Sequence, residues 1–162
     1  MDKKKAFLTA IGDNQGLIFK VASVYTNSIE DRNDLMQEII YQLWKSFDSF
    51  GQKSNLSTWM YRVAMNTAIY QLKLEKRKIK TFPLDEYFID VHEMDHTEME
   101  EKWLTLKQHI DNLNLLDKAL VILYLENKSY EEMAQIIGIS TTNIGTKLSR
   151  IKEKLKKEIS KQ

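Results

Sequence analysis

Apolar residues recur at helical spacing along most of this chain of 162 residues. An apolar stripe that returns every three to four residues is typical of an amphipathic helix with one buried face. The pattern predicts helices over residues 14–27, 30–48, 56–80, 98–113, 115–126, 129–137 and 140–159. The chain has only one Pro and five Gly, so few residues would break long helices. We therefore expect an all-α fold.

The segment 81–97 interrupts the helical pattern. Pro83 lies near its start, and every charged residue from 81 to 101 is acidic. Segments that lack a helical pattern between two helical regions commonly connect domains. The sequence therefore predicts two small helical domains, residues 1–80 and 98–162, joined by a flexible acidic linker.

The charge distribution is more informative than the net charge of +1. Basic residues cluster at the ends of two predicted helices, from Lys73 to Lys80 and from Lys147 to Lys161. Such clusters are suited to phosphate groups. No Cys is present, which excludes disulfides, thiolate metal sites and Cys nucleophiles. The first residues carry neither a signal peptide nor a membrane span, so we expect a cytoplasmic protein without membrane-spanning segments.

The sharpest motif is SYEEMAQIIGISTTNIGTKLSRIKEKL, which begins at Ser129. Ser129 and Glu132 have the spacing of a capping box, Gly138 is suited to the turn that ends a helix, and Ser140 can cap the next helix. Together they predict a helix-turn-helix that fits the major groove of DNA. A helical hairpin with a solvated face is the alternative. The polar face of the second helix carries Thr142, Asn143, Thr146, Lys147 and Arg150.

Polar and aromatic residues also stand out in the N-terminal half. Asp34, Gln37, Glu38 and Gln42 share one side of a predicted helix, either as a solvated face or as a surface that docks on another protein. Aromatic residues follow in the loop after this helix and in the segment STWMYRVAMNTA. They could stack on unpaired bases, although we expect Trp59 to belong to the core.

These motifs resemble a known family. DLMQEIIYQLWKSFDSF with LSTWMYRVAMNTA is similar to region 2 of bacterial sigma-70 factors, and LYLENKSYEEMAQIIGISTTNIGTKLSRIKEKL is similar to region 4. The resemblance covers about residues 5–80 and 98–158. Because no other sigma region lies between the two, the chain resembles the extracytoplasmic-function (ECF) group.

The resemblance implies roles for individual residues. Region 2 would bind core RNA polymerase through Asp34, Gln37, Glu38, Leu43 and Trp44. It would capture an unpaired base of the minus-10 element in a pocket lined by Asn66 and closed by the loop 47–54. The minus-10 contacts would be Phe50, Arg62, Asn66, Lys73 and Arg77. Region 4 would read the minus-35 duplex through the polar face described above, where Gly145 replaces an Arg that is common in the family.

The implied partners are core RNA polymerase and promoter DNA, with an anti-sigma factor as a further partner known for this group. The resemblance implies no cofactor, no metal and no catalytic residue. One alternative is a non-sigma helix-turn-helix regulator that binds an operator. Another is a metal-dependent enzyme centred on HEMDH at residues 92–96, although this spacing is one residue longer than the zinc-protease pattern.

Overall fold

The computed structural model describes residues 2–51, 55–79 and 98–160. Contacts divide the chain into two compact units, Met1–Pro83 and Leu84–Gln162. All elements in the described ranges are helices, so the all-α prediction is confirmed. The predicted linker, residues 81–97, lies outside the described residues. None of the described helices has the length and hydropathy needed to cross a membrane.

The first unit contains four α-helices and a short 3₁₀ helix. They are α1 (Lys3–Asp13), α2 (Gln15–Tyr25), α3 (Ile29–Ser46), the 3₁₀ helix (Phe47–Ser49) and α4 (Leu56–Ile79). The ends of α2, α3 and α4 lie within two residues of the predicted helix ends. The last residues of the predicted helix 30–48 belong to the 3₁₀ helix. Helix α1 was not predicted, because its buried face consists only of Phe7 and Ala10. Its first turn is capped by Asp2, whose carboxylate accepts the backbone N–H of Lys4 at 3.2 Å.

The core of the first unit lies where α2, α3 and α4 pack against one another. Ile18, Ile39 and Met60 are fully or almost fully buried there. Ala22 and Ala64 have no exposed surface, and their small side chains let the helix axes approach closely. This packing leaves the opposite faces of α3 and α4 available to partners.

Two side chains set the starts of the outward-facing helices. The Ser28 hydroxyl accepts the backbone N–H of Asp31 at 3.0 Å at the start of α3. The Asn55 side-chain oxygen accepts the backbone N–H of Thr58 at 2.7 Å at the start of α4. Each cap satisfies a backbone donor that the helix itself leaves unpaired.

The second unit contains α5 (Glu98–Asp111), α6 (Leu115–Leu125), α7 (Tyr130–Ile137) and α8 (Thr141–Ser160). Helix α6 packs against the other three, and its residues 119–123 are all buried. Asn127, with φ of 59°, reverses the chain after α6. The backbone N–H of Lys128 then donates to the carbonyl of Leu123 at 3.0 Å and closes the helix end.

Candidate functional site

The helix-turn-helix of α7 and α8 is built from local signals. The Ser129 hydroxyl accepts the backbone N–H of Glu132 at 3.1 Å, and the Ser140 hydroxyl accepts that of Asn143 at 3.1 Å. Gly138 lies in the left-handed region with φ of 88°, and its N–H donates to the carbonyl of Ala134 at 2.8 Å. The predicted cap, turn and second cap are confirmed.

Helix α8 has one buried and one open face. Ile144, Leu148 and Ile151 are buried against the rest of the unit. Of the predicted reading residues, the structure exposes Thr142, Asn143, Thr146 and Arg150 and half-buries Lys147. The Thr146 hydroxyl donates to the carbonyl of Thr142 at 3.1 Å, so in this conformation its oxygen is left to accept hydrogen bonds. The open face therefore offers hydroxyl, amide and cationic groups to a groove.

Gly145 does not leave a gap on α8. A Cβ placed on it would lie 3.5 Å from Cε2 of Tyr130, which is ordinary van der Waals contact. The Tyr130 ring, at the start of α7, thus packs beside the glycine and is still 41% exposed. Sequence reasoning noted the missing side chain at position 145 but overlooked the aromatic ring that lies next to it.

The outer face of α3 carries the predicted polar stripe. Asp34 and Gln37 are exposed, and Glu38 is half-buried. The side-chain amide of Gln42 donates to the Glu38 carboxylate at 3.0 Å, which fixes the direction of that carboxylate. The described stripe is acidic and therefore repels phosphate groups.

The two apolar residues assigned to this surface differ from each other. Leu43 has no exposed surface, so it does not contact a partner directly in this conformation and instead supports α3 from beneath. The expected role of Leu43 in shaping the polymerase-binding surface stays a prediction. Trp44 is 37% exposed, and its ring lies edge-on to Phe7 with the centroids 5.1 Å apart. The ammonium group of Lys3 lies 4.2 Å from the Trp44 ring centroid.

Helix α4 presents a second open face. Arg62, Asn66 and Lys73 are exposed, and their spacing of four and seven residues places them on one side of the helix. Arg77 continues this spacing, but its side chain lies outside the described part of the chain. Tyr70 is 62% exposed on the same side, and sequence reasoning missed it although it follows Asn66 by four residues.

Phe50 lies beside the start of α4. It is half-buried, and its ring centroid is 5.0 Å from that of Trp59. Trp59 is itself half-buried and packs in an aromatic cluster with Phe47 and Phe50, so it belongs only partly to the core. Residues 52–54 of the predicted pocket loop lie outside the described residues.

The described ranges contain no group of three or more His, Asp or Glu residues placed to hold a metal ion. The HEMDH segment at 92–96 lies outside these ranges.

A helix-turn-helix with a polar, cationic face shares this chain with a helical bundle that has an acidic and a cationic face. This combination is typical of a DNA-binding protein built from two parts. The sequence profile of Sigma-70 region 2 matches residues 10–78, and that of Sigma-70 region 4 matches residues 104–155.

Individual relatives agree with the profiles. The chain is 30% identical to RNA polymerase sigma factor YlaC of Bacillus subtilis over 84% of this chain and 82% of the relative. It is 26% identical to RNA polymerase sigma factor SigV of the same organism, over 98% of this chain and 94% of the relative. The fold matches that of the sigma factor RpoE of Bartonella quintana with a TM-score of 0.72 at 20% identity, over 97% of this chain and 96% of that one.

The chain belongs to the sigma-70 family of RNA polymerase sigma factors, and within it to the ECF group. It is a promoter-directing factor whose partners are core RNA polymerase and promoter DNA. A non-sigma regulator would account for the second profile match but not for the first, so that alternative is not favoured.

Proposed function

We propose that three open faces divide the work of this sigma factor. The outer stripe of α3 binds core RNA polymerase, the outer face of α4 with Phe50 holds the unpaired minus-10 strand, and α8 reads the minus-35 duplex. The observation that carries this proposal is the contrast in charge: the α3 stripe is acidic, whereas α4 and α8 expose cations. A polyanion can approach only the latter two.

The α3 stripe is suited to a protein partner. Asp34 and Glu38 supply carboxylates, and Gln37 and Gln42 supply amides, on a surface beside the partly exposed indole of Trp44. Exposed aromatic residues next to directional polar groups are typical of protein interfaces. A basic surface of the polymerase is the expected complement.

The α4 face is suited to single-stranded DNA. Asn66 carries both a donor and an acceptor, with which it can read the edge of an unpaired base. Arg62 and Lys73 lie on either side of it along the helix and can contact phosphates. Tyr70 lies between Asn66 and Lys73 and presents an exposed ring on which a base can stack.

The α8 face is suited to duplex DNA. Its first two turns carry Thr142, Asn143 and Thr146, whose side chains can reach base edges in the major groove. Arg150 follows one turn later and can bind either a guanine edge or a phosphate. Neither α8 nor the α4 face needs to bind tightly alone, because the polymerase holds both on one promoter.

The same proposal covers organisation and regulation. Residues 1–80 and 98–162 act as separate binding domains joined by the linker 81–97. They act by binding alone, without catalysis. They do so in the cytoplasm, where the chromosome and the polymerase are found. The matched RpoE structure is a complex with the anti-sigma factor NepR. We therefore expect a partner of that kind to cover the α3 and α8 faces of this chain when transcription is off.

Reconstitution with core RNA polymerase tests the proposal. The full chain is mixed with bacterial core enzyme, and promoters are selected from a randomised duplex library by the resulting holoenzyme. Transcription from the selected promoters is then compared with transcription by core enzyme alone. The proposal predicts initiation at a defined start site, with two enriched sequence blocks upstream.

Two outcomes would contradict the proposal. If the chain does not associate with core enzyme, the α3 stripe does not bind the polymerase. Enrichment of a single palindromic block, bound equally well without core enzyme, would indicate an operator-binding regulator instead. The Asn66→Ala variant separates the two promoter contacts, since it should reduce initiation while the upstream sequence block is still bound.

A further inference from the structure

Helix α1 is connected to the loop after α3 by a continuous set of aromatic contacts. Phe7 is only 6% exposed. Its ring lies edge-on to Trp44 at 5.1 Å and edge-on to Phe47 at 5.4 Å between centroids. Edge-to-face rings at these distances attract one another and restrict each other's orientation. Phe7 therefore packs against residues on both sides of the point where α3 gives way to the 3₁₀ helix.

A second contact ties the same helix to the same turn. The ammonium group of Lys3 lies 2.9 Å from a carboxylate oxygen of Asp48, which belongs to the 3₁₀ helix. It also lies 4.2 Å from the centroid of the Trp44 ring. One cation thus contacts the side of α3 and the residue that follows Phe47. Because the ion pair is solvent-exposed, it orients Lys3 toward the turn but contributes little to the free energy of folding.

The contacts continue into the segment that precedes α4. Phe47 lies 6.1 Å from Trp59 between ring centroids, and Phe50 lies 5.0 Å from the same indole. Four aromatic rings therefore form a row from α1 to the first turn of α4: Phe7, Phe47, Trp59 and Phe50. Phe50 is the residue of this row that we assign to the minus-10 contacts.

The turn has little internal structure of its own to hold Phe50. The 3₁₀ helix is three residues long, and the backbone N–H of Phe50 donates to the carbonyl of Phe47 at 3.2 Å. Gly51 follows with φ of 58°, a conformation that ends regular structure. Capturing a base taken out of the stack requires a site that is already in place, because unstacking itself costs free energy. The packing of α1 can supply that order.

We infer that α1 is a positioning element for the minus-10 site, with Phe7 as the positioning residue and Lys3 as its outer tie. Phe7 does not touch DNA. It sets the orientation of Phe47 and, through Trp59, the orientation of Phe50. The inference rests on the proposed role of Phe50 and α4 in holding the unpaired strand, and it assigns a function to a helix that the sequence pattern did not predict.

The test measures the affinity of the holoenzyme for two DNA probes built on a selected promoter. One is a fork whose minus-10 strand is already unpaired, and the other is the upstream duplex alone. Phe7→Ala removes the ring, and Phe7→Leu keeps an apolar side chain while removing the ring edge. Leu8→Ala is the matched control, since Leu8 is the next residue of α1 and is 58% exposed. Core-enzyme affinity and the unfolding midpoint are measured for each variant.

We expect Phe7→Ala to weaken fork binding roughly tenfold and Phe7→Leu about threefold, as expected when ring contacts that order a site are lost. Upstream-duplex affinity stays within about twofold of the wild type, and Leu8→Ala changes neither probe. Because Phe7 also packs against Trp44 of the proposed polymerase surface, both probes are measured on holoenzyme formed at saturating core enzyme. If Phe7→Ala does not fold, Phe7→Leu decides the question by the same split between fork and duplex.

Two results would overturn the inference. The first is fork affinity that is equal in Phe7→Leu, Leu8→Ala and the wild type. The second is a parallel loss of fork, duplex and core-enzyme affinity, which would mean that Phe7 only stabilises the fold. A wild-type holoenzyme without any preference for the fork would instead contradict the proposed role of α4, and the inference would fall with it.

Discussion

Each of the two units of this sigma factor carries a helical face that we assign to DNA, but the two units organise that face in different ways. In the second unit, the reading face of α8 is fixed by neighbours in sequence: Ser129, Gly138 and Ser140 set the ends of α7 and α8. In the first unit, the position of Phe50 depends on Phe7, which lies more than forty residues away in the chain.

The difference has a physical basis in what each unit binds. A major groove is a regular shape, and a helix with well-defined ends fits it without further adjustment. An unpaired base has no fixed position until a pocket holds it, so its site needs support from several elements. We therefore expect substitutions far from the DNA to affect the first unit more than the second.

The largest expected effects come from removing a core side chain in each unit. Leu43→Ala and Leu148→Ala each delete a buried side chain, and a cavity of this kind lowers the free energy of unfolding by about 2–5 kcal/mol. Hydrogen exchange followed by mass spectrometry should show lost protection in α2 to α4 for Leu43→Ala and in α6 to α8 for Leu148→Ala. Equal loss in both units after either substitution would argue against two separately folded domains.

Arg150→Ala is expected to have the next largest effect, and only on the duplex. Loss of a guanine or phosphate contact costs about 1–3 kcal/mol, so binding to the minus-35 duplex should weaken by about five- to 150-fold. Lys102→Ala is the control, because Lys102 is an exposed cation of the same unit, 3.7 Å from Glu98. Equal losses in a filter-binding titration would mean that only net charge matters.

The smallest effect should be a gain in stability. Gly145→Ala adds a Cβ at ordinary contact distance from the Tyr130 ring, and Ala in a helix interior is favoured over Gly by about 0.5–1 kcal/mol. The unfolding midpoint should rise. Gly12→Ala is the counterpart in the first unit: it meets nothing within 4 Å but lies one residue before the end of α1, so its gain should be smaller. A lower midpoint for Gly145→Ala would mean that the Tyr130 ring cannot adjust.

The same contrast explains which features the sequence predicted. Capping residues, the left-handed Gly138 and the apolar stripe of α8 act within a few residues of each other, so their pattern is visible in the chain. Helix α1 buries only Phe7 and Ala10, and it is stabilised by the packing of Phe7 against Trp44 and Phe47. Sequence periodicity does not contain that information.

Single positions follow the same rule. Leu43 and Trp44 are adjacent apolar residues between Gln42 and Lys45, and only the packing of α3 determines that the first is buried and the second partly exposed. The ring of Tyr130 beside Gly145 joins residues fifteen apart in the chain across a helix crossing. The roles of individual residues at the DNA and polymerase surfaces stay predictions.

We assign polymerase binding to the acidic face of α3 and duplex DNA binding to α8, and one pair of affinities separates these two roles. The double variant Asp34→Ala with Gln37→Ala is compared with Asn33→Ala, an exposed neighbour on α3. Core-enzyme affinity should fall about 30-fold for the double variant, since each of the two lost interfacial hydrogen bonds contributes about 1 kcal/mol. Binding of the free chain to the minus-35 duplex should stay unchanged. Unaltered core-enzyme affinity, or an equal loss with Asn33→Ala, would contradict the claim.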